Sequence, residues 1–179
     1  MGPGRPALRG AAALASAVAT ATLVAGCAGT GPTTVRADGY TATFASTVSR
    51  SQNVQHVGGR PVAVTTWVAA RGKETDAVVT ADERSAAPAA TRLTDAVLGS
   101  VRDLGGSLLS RRRLRWQGFP AEDAIITTTD ELVRERIVLA GPRLYVLEGI
   151  SKAAKPAFPG YERLLRTFRL APMRPRSGG

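Results

Sequence analysis

The sequence predicts an α+β fold: an antiparallel β-sheet flanked by helices, packed as an α/β/α sandwich. Three observations point there. Short runs of alternating apolar and polar residues recur along the chain, several of them separated by Gly- or Pro-bearing turn signals. Two stretches, far apart in sequence, instead carry apolar residues at spacings of three and four. Between the two terminal segments lie about 130 residues, the size of one domain with one core.

Taken in order, Tyr40, Ala42 and Phe44 alternate with threonines and mark a half-buried first strand. Gln52 to Val57 and Pro61 to Ala70 flank Gly58-Gly59, a hairpin signal. Arg71-Gly72-Lys73 then turns the chain into a strand near Asp76 to Ala81. Pro88 suits a first helical turn, and Ala90, Leu93, Val97, Val101 and Leu104 form an apolar stripe that Gly105-Gly106 ends. Strand signals resume at Leu108 to Trp116, Phe119 to Thr129, Glu131 to Ala140 and Arg143 to Gly149, with a turn at Ala140-Gly141-Pro142. Phe158, Tyr161, Leu165 and Phe168 fall on one face of a last helix. Hairpin-linked strands with two separated helices are the pattern of an antiparallel sheet covered by helices.

The N-terminus reads as a processing signal. Arg5 and Arg9 precede an uncharged stretch from Gly10 to Ala25 that is rich in Ala, Val and Leu. At about 16 residues it is shorter than the roughly 20 a spanning helix needs. Val24-Ala25-Gly26 leads into Cys27, the one cysteine of the chain. These four residues resemble the lipobox of bacterial lipoproteins. That resemblance implies diacylglycerol on the Cys27 thiol and cleavage before it, with the acyl chains anchoring the domain to a membrane, outside the cytoplasm. The expected organisation is a signal peptide over 1–26, the lipidated cysteine and a flexible tether over 27–37, a single domain over 38–171, and a disordered tail over 172–179. Ala28 follows the cysteine, so no acidic sorting residue stands there; the destination is the cell membrane or, in a cell with two, the outer membrane.

A single cysteine also rules out an intramolecular disulfide. The formal charge is +10 for the whole chain, and because only two basic residues and no acid leave with the signal, the mature charge is +8. Most of the basic residues are arginine. Such a balance favours anionic envelope surfaces, whereas nucleic acid is not a partner that an exported protein ordinarily meets.

In its second half particularly, the chain resembles the PsbP-like fold, found in a photosystem subunit, a Ran-binding protein and small bacterial lipoproteins. The matching pieces are Gly118-Phe119-Pro120-Ala121 opening a strand, and Arg136 to Leu139 leading into Gly141-Pro142-Arg143-Leu144-Tyr145. Tyr161 and Thr167-Phe168-Arg169-Leu170 close the domain. The resemblance implies a non-enzymatic interaction or binding module, and it supplies no catalytic residues.

Arg111-Arg112-Arg113-Leu114-Arg115-Trp116 is the strongest local candidate for chemistry. On a strand, Arg111, Arg113 and Arg115 share one face at about 7 Å spacing. They form a candidate anion-binding stripe able to grip phosphate or carboxylate with forked contacts. Arg134 and Arg136 also share a strand face and would extend it if the strands were near neighbours. The competing expectation is a solvated face whose arginines pair with Glu122, Asp130, Glu131 or Glu135. Trp67 and Trp116 are expected in packing rather than in a pocket, and Tyr145 in the core or at its rim beneath the last helix.

Catalytic constellations are sparse. His56 is the sole histidine and abuts a turn, and no serine sits in a nucleophile elbow. Glu122-Asp123 and Asp130-Glu131 are sequence neighbours, so on strands each pair points to opposite faces. No metal-ligand spacing and no Gly-rich phosphate loop occurs, so no metal and no cofactor is expected. The chain reads as a non-enzymatic, monomeric interaction module that docks on an envelope protein or an anionic envelope polymer. The alternative is a carrier holding a lipid or other apolar ligand between sheet and helices, which requires a cavity of several hundred Å³.

Overall fold

The computed structural model describes residues 31–171 apart from Asp38, Gly58, Gly59 and Glu83. Its elements are β1 (Thr33–Ala37), β2 (Tyr40–Phe44), β3 (Val48–Val57), β4 (Arg60–Arg71), β5 (Glu74–Asp82), α1 (Ala89–Asp103), β6 (Ser107–Trp116), β7 (Phe119–Thr127), β8 (Leu132–Ala140), β9 (Arg143–Ser151), α2 (Pro159–Thr167) and β10 (Arg169–Leu170). Seven strands form one sheet in the order β3-β4-β5-β9-β8-β7-β6, and β1-β2-β10 form a second, small sheet. All pairings are antiparallel.

Period-two alternation sorts the large sheet into two packed faces. On one, Val79, Ile137 and Val146 meet Leu93, Ala96 and Val97 of α1, and Ile126 and Val133 meet Val101 and Leu104. On the other, Val78, Val138 and Leu147 meet Tyr161 and Leu164 of α2 together with Phe44 and Phe168. Strands covered on both faces lose the apolar-polar alternation, so β5 and β9 are buried almost from end to end. The sandwich is therefore α1, large sheet, then α2 beside the small sheet.

Most expected elements are present near their expected bounds. The strands flanking Gly58-Gly59 close on Val57 opposite Arg60, as a hairpin there requires. Gly72 and Gly141 take positive φ in the turns at 72–73 and 141–142. Three expectations need correction. Thr33 to Ala37, read as the end of a tether, is strand β1, paired along its length with β2; only Val35 of it is buried, so it carries little apolar signal. β2 has the alternating burial expected of it, with Tyr40, Ala42 and Phe44 on the buried face, but it is the middle strand of the small sheet and not the first strand of the domain. Pro88 precedes the helix rather than entering it, capping α1 in an extended conformation. The signal peptide, Cys27 and the tail over 172–179 lie outside the described residues. Among the described residues no helix is long and apolar enough to cross a membrane.

An aromatic cluster fastens the small sheet to the large one. The Phe168 ring stacks on Tyr40 at 4.9 Å and on Trp116 at 5.5 Å, and meets Tyr145 edge-on at 5.8 Å. These rings come from β2, β6, β9 and the C-terminal end of α2, so one side chain joins four elements. Trp116 and Tyr145 thus serve packing, as their strand positions suggested, and Trp67 lies partly buried against the same core.

Candidate functional site

Among the described residues β6 is an edge strand, hydrogen-bonded in the sheet only to β7. Its register places Arg112 opposite Asp123, and Asp123 opposite Arg136 on β8. Arg111 lies opposite Ala124 and Arg113 opposite Glu122. Adjacent carboxylates on β7 therefore point to opposite faces, and each attracts its own arginines.

On the α1 face, Glu122 is fully buried and lies 3.7 Å from Arg111 and 3.5 Å from Arg113. Arg113 also donates to the Thr94 hydroxyl of α1 at 2.9 Å. Arg115 donates to the Gly118 carbonyl. The stripe read from the sequence thus shares one face, with two of its members set around one buried carboxylate. Arg134 and Arg136 do not extend it. Both lie on the opposite face, because β7 intervenes and the register pairs Asp123 with Arg136.

There, on the α2 face, they join Arg112 in a cleft of about 510 Å³ between β6–β8 and α2. Ser110, Arg112, Asp123, Ile125, Arg134 and Arg136 line its sheet side, and Tyr161, Glu162 and Leu165 of α2 line the other. Asp123 accepts two hydrogen bonds from Arg136, at 2.7 and 2.9 Å, and a longer one from Arg112 at 3.4 Å. Those bonds hold the Arg136 guanidinium still more firmly protonated. Arg136 also lies over the Trp116 ring at 5.0 Å, which ties the cleft to the aromatic cluster. Among the described residues Arg134 has no carboxylate partner, and it rests over Phe158 at 5.3 Å. Burial raises the Tyr161 hydroxyl above its ordinary range, with Asp123 adding to it, so Tyr161 stays neutral.

The position of α2 over this cleft depends on two carboxyls of β5. Phe158 precedes the helix and has no side-chain oxygen to cap it, so Glu74 substitutes, accepting from the Gly160 and Tyr161 N–H groups at 2.9 and 3.3 Å. Asp76 abuts the same turn so closely that a Cβ on Gly160 would sit 2.0 Å from its Oδ2. Burial, then the neighbouring Glu74 carboxylate, pushes Asp76 up to about 7.

Beneath α1 a second carboxyl pair is sealed in. Glu135 of β8 lies directly opposite Glu148 of β9, both essentially inaccessible, next to the equally buried Ser100. Among the described residues no cation pairs with either. Burial raises Glu135 to about 7, and burial together with the Glu135 charge raises Glu148 well above the ordinary range. Closed off from solvent, this pair has no access to a substrate; it is a proton-holding element of the core. Sequence reasoning placed Glu122 and Glu135 on a solvated face. The signal for Glu135 was its place in the stripe Val133, Glu135, Ile137, Leu139, otherwise wholly apolar.

His56 is exposed near the hairpin end, away from every carboxyl pair described. Among the described residues no group of three or more His, Cys, Asp or Glu is arranged to hold a metal ion. The cleft's chemistry is therefore that of charge: forked donors on one wall, an apolar and hydroxyl-bearing helix on the other.

Neither a family model nor a curated protein sequence matches the chain. Among solved structures it is similar to the solution structure of cyanobacterial PsbP (CyanoP) from Synechocystis sp. PCC 6803. The TM-score is 0.56 at 11% identity, over 81% of this chain and 95% of that one. With the antiparallel sheets and two helices described above, that similarity identifies the architecture of the chain as a PsbP-like α+β fold.

Proposed function

We propose that the chain is an exported lipoprotein, anchored through lipid on Cys27, whose domain works as a non-enzymatic docking module for an anionic partner in the cell envelope. One observation carries the docking reading. Around β6–β8, Arg111 and Arg113 sit on Glu122 and Arg112 and Arg136 on Asp123, while Arg115 and Arg134 have no carboxylate at ion-pair distance among the described residues. A surface built only for internal pairing would balance them, and surplus guanidinium groups beside a cleft suit an anionic ligand. The carrier reading would need a cavity lined by apolar groups throughout, whereas in this cleft guanidinium and carboxylate groups share the lining with Ile125, Tyr161 and Leu165.

The reading is tested in cells. Cys27→Ala should shift the protein from the membrane fraction to the periplasm or medium; retention at the wild-type level refutes the anchor. A photoreactive residue at Leu165, in the anchored protein, should yield a discrete adduct with an envelope component that Arg134→Ser diminishes. A stoichiometric lipid in the native mass spectrum, with no such adduct, would make the protein a carrier instead.

A further inference from the structure

We infer that the free edge of β6 takes an acidic, extended peptide segment of a partner protein as an added strand. This rests on the docking reading and names the chemistry of its partner. After a bulge between Leu108 and Ser110, the strand runs in regular register from Ser110 to Trp116. That is room for about seven residues at roughly 3.4 Å each. Among the described residues its outer edge is unpaired, the only strand bonded to it being β7.

Charge selects the occupant. The run SRRRLRW carries arginines at 111, 112, 113 and 115, and the side chains of Arg111, Arg112 and Arg113 are between 42% and 75% exposed. Arginines along an edge oppose the pairing of two copies of the same strand, since an isologous β6–β6 contact would bring both sets together. The same row favours an incoming strand with acids at every second position. Such acids fall at the spacing of Arg111, Arg113 and Arg115, on the side of those guanidinium groups away from Glu122. The other face of the incoming strand meets Arg112 at the mouth of the cleft. β3, at the opposite edge of the sheet, is also free among the described residues, but its sequence VSRSQNVQHV favours no particular partner.

The test uses the full-length protein and a synthetic heptapeptide with Glu at its second, fourth and sixth positions and Thr or Val elsewhere, followed by fluorescence anisotropy. The unmodified peptide should bind one to one. Backbone N-methylation of one alternate set of residues should weaken it at least tenfold, while methylation of the other set leaves it nearly unchanged, because only every second residue of an added strand faces the edge. Arg115→Gln, which leaves the partners of Glu122 in place, should weaken binding several-fold. Equal binding of both methylated peptides would overturn strand addition in favour of contact by charge alone. No binding, or indifference to Arg115→Gln, would overturn the site. Concentration-dependent dimerisation without peptide would assign the edge to a second copy. None of these results disturbs the adduct at Leu165, so failure here is distinguishable from failure of the docking reading.

Discussion

Replacing Glu135 by Gln should flatten the pH dependence of stability, and the structure sets the size of the effect. Burial raises the Glu135 carboxyl from an ordinary 4.5 to about 7 in the folded protein. Below the lower value both folded and unfolded chains hold the proton, so the group is neutral in both states. As pH rises above it, the unfolded chain releases the proton while the folded chain keeps it, and stability falls until the folded group ionises. At about 1.4 kcal/mol per pH unit, the loss accumulated by pH 8 is about 3 kcal/mol. Gln fills the same volume and does not titrate. It also removes the charge that helps raise Glu148, so the figure is a minimum. Urea denaturation near pH 5 and pH 8 measures both proteins. The wild type should lose stability between them, and because part of the loss is already present at pH 5, Glu135→Gln should lose at least about 2.5 kcal/mol less. Asp76 titrates in the same range and direction and stays in both, so the difference isolates the pair under α1. Equal losses in the two proteins would show that Glu135 ionises freely, and the sealed pair would be refuted.

Two packing predictions accompany it. Gly160→Ala should drive a methyl into the Asp76 carboxyl, 2.0 Å from Oδ2, at a cost of about 2–3 kcal/mol. For a domain of this size that lowers Tm by roughly 5–10 °C, and an unchanged melting curve would contradict the close approach. Phe168→Ala removes the ring shared by Tyr40, Trp116 and Tyr145 and should cost about 3–5 kcal/mol, with loss of near-ultraviolet circular dichroism; a folded variant of full stability would show that the cluster does not bind the small sheet.

Where burial follows periodicity, the sequence was informative. The stripe through Leu93, Val97 and Val101 and the turns at Gly72 and Gly141 are local signals, and the elements they announce are present. β1 and β10 were not legible, because five and two residues carry almost no period and become strands only through pairing with β2. The last helix was legible in part. Leu165 is half-buried against the core, as its spacing predicts, but Leu164 is the fully buried residue and Leu165 also lines the cleft. The arginine stripe was read with the right side-chain alternation. What the sequence lacked was strand order: with β7 between β6 and β8, Asp123 gathers Arg112 and Arg136 on one face while Glu122 gathers Arg111 and Arg113 on the other.

Strand order also changes what the net charge means. Among the described residues five acids, Glu74, Asp76, Glu122, Glu135 and Glu148, are buried. Of these, Asp76 and Glu135 are raised to about 7 and Glu148 well above its ordinary range, so they retain protons where a surface carboxylate would not. The surface charge is therefore more positive than the formal count, and it grows as pH falls from about 8 toward 6, when those groups are protonated. The same protonation relieves repulsion between Glu74 and Asp76 at the start of α2, the helix that forms one wall of the cleft. Mild acidification thus strengthens both the field around the cleft and the seating of its wall, so capture of an anionic partner should tighten over the range in which the core carboxyls take up protons.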